Sequence, residues 1–292
     1  MSVQITTAFV EQYAANVDHL AQQKGSRLRG AVRVETVTGK NAFFEQIGQT
    51  AARKRTSRHS DTPRMDTPHA RRRVSLTDYD WADLIDHEDR VRMLIDPTSP
   101  YAVAASNAMG RAIDDAIIEA ADGTAFTGVS GSTSTTFPAG NVVDVQTGGS
   151  SSDVGLNVEK LRAAKELLDA GEIEDEGRFM ALNAKQLRNL LAETAVTSSD
   201  FNSVKALVNG EVNTFLGFNF IRTERIGVDS NSDHKVLFWE RNGIVLAVGA
   251  NPTAKISERS DKNYSTQVFY SMSVGSTRME EARVGYIECD PS

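Results

Sequence analysis

A chain of 292 residues, 40% hydrophobic and carrying a net charge of −7, can fold as one large or two medium domains around real cores. No apolar run approaches the roughly 18 residues of a membrane span, and residues 1–10 lack the basic, apolar and small-residue pattern of a secretory signal, so a cytoplasmic protein without membrane association is expected. One cysteine, Cys289, and five scattered histidines exclude an internal disulfide and a thiolate zinc site, and no histidine pair stands at metal-ligand spacing on a helix face.

Between residues 7 and 23, Phe9, Val10, Tyr13, Val17 and Leu20 recur at helical spacing and Gly25 follows as a stop. This predicts an amphipathic N-terminal helix, packed either on its own domain or on a neighbour. The basic load comes next. Arg53, Lys54, Arg55, Arg58, Arg64, Arg71, Arg72 and Arg73 stand against only Asp61 and Asp66, so the rest of the chain, with 24 basic and 37 acidic residues, is near −13. With Thr62-Pro63, Thr67-Pro68 and almost nothing apolar, this segment cannot bury itself and should project as an extended loop or hairpin. Three roles compete for it: docking on the acidic body of another copy, nucleic-acid binding, and plain solvation. No aromatic residue lies between Phe44 and Tyr79 to stack on bases, and docking accounts for both halves of the charge asymmetry. The eight cations are therefore read as inter-subunit contacts.

Val74, Leu76, Tyr79 and Trp81 suggest a returning strand. Ser99 is placed as the N-cap and Pro100 as the first residue of a helix over 100–122, with Val103, Met109, Ile113, Ile117 and Ala120 on its apolar stripe and Gly123 ending it. The Gly-, Ser- and Thr-rich stretch over 128–152 reads as a surface excursion and a boundary between domains, and holds neither a Walker nor a dinucleotide-binding glycine pattern. Asn157 then caps a helix closed by Gly171, a short strand covers 179–182, Asn183 and Gln186 open a second helix, and 216–221 makes another strand. This region should fold around Leu161, Leu168, Leu187, Leu191 and Phe220. Asn242-Gly243, between β-rich stretches at 235–240 and 244–248, signals a hairpin turn, and alternation from 264 to 288 gives long strands. Glu280 and Glu281, adjacent in a strand, point to opposite faces and read as solvated or interface residues rather than an acid and base pair. No catalytic, cofactor-binding or metal-ligating residue is assigned.

This order of elements resembles the major capsid proteins of tailed phages with the Hong Kong 97-like fold. Two passages are similar as text: Gly210-Glu211-Val212-Asn213-Thr214-Phe215-Leu216-Gly217-Phe218-Asn219-Phe220, like the axial-domain segment that carries Leu-Gly-Phe before a strand, and Met279-Glu280-Glu281-Ala282-Arg283-Val284-Gly285-Tyr286, like the last strand of the peripheral domain. The resemblance implies an α+β fold with an N-arm over 1–50, an extended E-loop hairpin over 51–82, a P-domain over 83–150 with a long spine helix at about 100–122 and a β-layer, an α/β A-domain over 151–250, and strands returning to the P-domain over 251–292. It also implies a non-enzymatic coat protein that builds hexamers and pentamers into an icosahedral head in the host cytoplasm. That head encloses double-stranded DNA without sequence-specific binding, and its other partners are a separate scaffolding protein, a portal and a decoration protein. Some members crosslink through a lysine and an asparagine. Lys54 is the only lysine in the E-loop range and no motif fixes a partner for it, so no covalent chemistry is expected. Two other readings stand beside this one: an encapsulin-type nanocompartment shell, which shares the fold, and a nucleic-acid-binding protein using the Arg53 to Arg73 arm.

Overall fold

The computed structural model describes residues 22–59, 61–62, 64–85, 98–150, 152–193 and 214–291. The expected N-terminal helix lies, up to residue 21, outside them. The chain forms two units, one of residues 1–26, 78–113 and 250–273, the other of 27–77, 114–249 and 274–292. Three elements run through both: the long helix α1 (Thr98–Asp122) and the strands β12 (Ile244–Arg259) and β13 (Ser265–Arg278).

At about 1.5 Å per residue, α1 is about 37 Å long. It begins at Thr98, so Pro100 sits in the first turn, where no N–H is needed, and Ser99 is helical rather than the cap. Met109, Ile113 and Ile117 are buried as expected, but Val103 is 46% exposed, so the apolar stripe starts later than the sequence suggests. Within the first unit, β4 (Thr77–Ile85) lies beside β13, and the Gly25 N–H donates to Asn107 Oδ1 at 3.2 Å.

The second unit holds most of the core. Its largest sheet is mixed and runs β7 (Val142–Val143), β14 (Val284–Cys289), β11 (His234–Glu240), β8 (Arg178–Leu182), β10 (Phe218–Arg222), β9 (Thr214–Phe215). Residues 180–182 and 236–240 are buried without alternation, the signature of strands covered on both faces. Trp239 keeps its polar handle satisfied by donating Nε1–H to the Ala31 carbonyl at 2.9 Å. Both expected helix starts form: Asn157 and Asn183 accept from the backbone N–H of Lys160 and Gln186, each at 2.8 Å, at the heads of α2 (Val158–Ala170) and α3 (Ala184–Ala192). The end of α2 is a Schellman closure, but the left-handed residue is Glu172 (φ +53) rather than Gly171 (φ −80), with the Ile173 N–H donating to Leu168 O and the Glu172 N–H to Asp169 O.

Four expectations are corrected. Leu216 and Gly217, read as the start of a strand, are a two-residue turn with φ +50 and +89 joining β9 to β10; both positive φ values are what a tight hairpin demands, and only the glycine adopts one freely. Phe218 and Leu190 are fully buried where Phe220 and Leu191 were expected, a shift of two residues along the strand and of one along the helix. Asn242-Gly243 makes no hairpin, because β11 and β12 belong to different sheets. Glu240 instead accepts from the Asn242 N–H and side-chain amide, and a Cβ on Gly243 would meet Arg283 Cβ at 2.8 Å, so the glycine answers a close approach. The stretch over 128–152 lies within the second unit and contributes β6 (Thr133–Thr135) and β7 rather than dividing domains.

Candidate assembly interface

The basic segment belongs to a hairpin over 41–75, which starts before the first of its charges, Arg53, and ends just after the last, Arg73. β2 (Asn41–Ile47) pairs antiparallel with β3 (His69–Ser75), and β5 (Ala125–Thr127) and β6 extend the sheet beyond β3. The Gly48 N–H donates to Pro68 O at 2.9 Å and closes the ladder, leaving a loop over 48–68 whose described residues are all exposed. A connection this long without regular structure usually carries function.

Strand geometry separates the three consecutive arginines. With a period of two, Arg72 faces one side and Arg71 and Arg73 the other. On the exposed side Arg71 pairs with its cross-strand partner Glu45 and stands 5.4 Å over Phe43, while Arg73 lies 4.7 Å over Phe126. On the inner side Arg72 is 6% exposed; its Nε donates to Met279 O at 2.8 Å and its Nη2 to both oxygens of Glu281 at 2.6 and 2.5 Å. Gln46 Nε2 donates to the same Met279 carbonyl at 2.6 Å, so the base of the arm is tied at two points to the segment after β13.

Glu281 also faces Arg278 Nε at 3.7 Å, an ion-pair distance beyond hydrogen-bond range. Arg278 is fully buried; its Nη1 donates to Ala121 O and Gly123 O at 2.9 and 2.8 Å, satisfying carbonyls at the end of α1. Burial and the neighbouring Arg72 lower the Arg278 pKa while Glu281 raises it. Glu281, read from sequence as solvated or interfacial, is thus the shared counterion of two buried guanidiniums. Asp114 was also missed: it is fully buried and accepts the backbone N–H groups of Arg27 and Leu28. An acid inside an otherwise apolar helix stripe was its visible signal.

The remaining cations stay on the tip. Arg55 Nε donates to the nearby Ser57 O, Arg64 is 3.6 Å from Asp66 with both side chains over 90% exposed, and Arg53, Lys54 and Arg58 have no partner among the described residues. The arm is therefore a hairpin fixed at its base by Arg72 and charged at its tip.

Neither Cys289 nor Lys235, in the second unit, is poised as an activated nucleophile. Burial pushes the Cys289 thiol up to about 12, and the Lys235 ammonium is held charged by Asp122 at 2.8 Å beside a polar hollow of about 430 Å³ lined also by Tyr286 and Glu288. Among the described residues no group of three or more acids, histidines or cysteines is placed to hold a metal ion, and no helix is long and apolar enough to cross a membrane.

The sequence matches the phage capsid protein family over residues 5–291. The chain belongs to that family. Solved structures agree with the fold: the capsid of cyanophage P-SCSP1u (19% identity, TM-score 0.74, 99% of this chain and 95% of that one), the capsid of Ralstonia phage GP4 (11%, 0.75, 97% and 96%) and a structure of Mycobacterium phage Che8 (12%, 0.71, 96% and 97%). No curated protein matched. The capsid protein thus has the expected Hong Kong 97-like architecture, and it is a major shell component that associates with copies of itself in the virion capsid.

Proposed function

We propose that this capsid protein forms the head of a tailed phage as hexamers and pentamers around double-stranded DNA, and that the cationic tip of its arm fastens each subunit to the next. The observation that carries the docking role is the loop over 48–68: its Arg53, Lys54 and Arg58 have no counterion among the described residues, while the rest of the chain is strongly acidic. Arg55 and Arg64 belong to the same contact. Arg71, Arg72 and Arg73 support it from within, since Arg72 fixes the base of the hairpin and the other two stiffen its exposed face. A scaffolding protein, a portal and a decoration protein complete the partner set, and the protein has no enzymatic role.

Changing Arg53, Lys54 and Arg58 together to Glu tests the docking role. These side chains lie outside the core, so the subunit should keep its circular dichroism and melting temperature. Sedimentation should show small species where the parent gives large particles. Raised salt should weaken assembly of the parent in the same direction. Normal particles from the triple variant would refute docking, and intact particles that no longer retain DNA would assign the arm to nucleic acid instead.

A further inference from the structure

We infer that the outer face of the arm's sheet, centred on Phe43, Ile47, Phe126 and Val129, is an apolar docking surface for a second copy of this chain. The inference rests on the self-association of the capsid protein and not on the cationic tip.

Alternation along β2 sends Ala42, Phe44 and Gln46 to the inner side, with Arg72 and Val74 of β3, and Asn41, Phe43, Glu45 and Ile47 to the outer side. An antiparallel sheet with one face in water carries polar residues on that face. Phe43 and Ile47 break the pattern. Strand pairing gathers more apolar surface around them: Phe43 sits opposite Arg73, Arg73 opposite Phe126, and Ile47 opposite His69. The β5–β6 connection folds back onto the same face, since a Cβ on Gly131 would meet Arg73 Cβ at 2.7 Å and Phe43 Cε1 at 3.0 Å. It brings Val129, whose carbonyl accepts from Arg71 Nη1 at 3.2 Å. Ile47 is 69% exposed and Val129 88%, with Phe43 and Phe126 at 40 and 38%. Apolar side chains gathered in one place on a solvated face mark an interaction surface, whereas scattered ones would not.

Composition decides the occupant. Aromatic side chains and arginine are the residues in which the buried centres of protein interfaces are rich. A strand of nucleic acid would need open ring faces to stack on, whereas Arg71 lies 5.4 Å over Phe43 and Arg73 4.7 Å over Phe126, and Ile47 and Val129 offer no ring. The face is also cationic. Glu45 balances Arg71, but Arg73 has no carboxylate among the described residues, and its buried Nε has no acceptor there. Outside residues 53–73 the chain carries 24 basic and 37 acidic residues, and the capsid protein assembles with its own copies. A second copy therefore supplies both the apolar cover and the negative charge.

Sedimentation of the full-length chain, with subunit melting as the folding control, decides the matter. Ile47→Ser with Val129→Ser should leave melting unchanged, because both side chains stand largely in water, and should lower the assembled fraction at least about tenfold. A photocrosslinking phenylalanine analogue in place of Phe43 should join two copies of the chain within particles. Normal assembly of the double variant, particles that form but no longer retain DNA, or crosslinks to DNA alone would overturn the inference. The tip is read separately. If Arg53→Glu with Lys54→Glu and Arg58→Glu blocks assembly while the double variant assembles, docking by the tip survives and the apolar face is wrong; the reverse result keeps the face and removes the tip. Should the double variant not fold, Val129→Asp alone serves: lost assembly of a folded subunit supports the face, and normal particles refute it.

Discussion

Two guanidiniums, those of Arg72 and Arg278, share the Glu281 carboxylate, and each keeps one buried nitrogen, Nη1 and Nε respectively, without a hydrogen-bond partner among the described residues. Removing a shared counterion leaves two buried charges uncompensated, so Glu281→Gln should cost about 3 to 5 kcal/mol by denaturant unfolding. Arg71→Ala, which breaks an exposed pair with Glu45, should cost no more than about 1 kcal/mol. The pH dependence has two opposed parts. Side-chain hydrogen bonds from Arg178 and Arg283 hold the Asp169 and Glu174 carboxyls below their ordinary values, so their stabilisation is present above about pH 4 and is lost as pH falls through the folded-state pKa values. Asp233 and Glu288 are shifted upward, so the folded state binds protons more readily than the unfolded chain, and their penalty stands at neutral pH and disappears in acid. Asp233→Asn with Glu288→Gln should therefore raise the urea midpoint at pH 7, leave it nearly unchanged at pH 4, and so steepen the acid loss.

At the scale of elements, what was legible followed from residues acting on their own backbone. Asn157 and Asn183 announced their helices because a cap needs only its own first turn, and α1 was readable from the spacing of Met109, Ile113 and Ile117. What failed depended on distant partners. Asn242-Gly243 matched a hairpin signal, but Glu240 and Arg283 draw that turn into a passage between sheets. The basic arm was visible as charge, while its strands were not, since β2 carries Asn41, Glu45 and Gln46 and takes its register from β3. Strand alternation at Arg71, Arg72 and Arg73 could have separated the inner arginine from its neighbours; the block of charge hid it. The helix gives a paired test: Ile117→Asp should bury an unpaired charge, cost several kcal/mol and remove soluble protein, whereas Val103→Asp, on an exposed position, should leave melting nearly unchanged.

For the whole molecule, the charge asymmetry and the family point the same way. An acidic body with a cationic loop tip, whose Arg53, Lys54 and Arg58 have no partner among the described residues, is poorly satisfied alone, and a capsid protein does not stay alone. Individual exposed pairs contribute only ~0.2 to 1 kcal/mol, but a closed shell repeats each contact in every subunit, so weak contacts act together. The most direct measurement is electron microscopy of the purified full-length protein, expressed with and without a scaffolding partner. Closed icosahedral particles built of hexamers and pentamers are the predicted result. A monodisperse folded monomer under both conditions, at concentrations where other capsid proteins assemble, would contradict it.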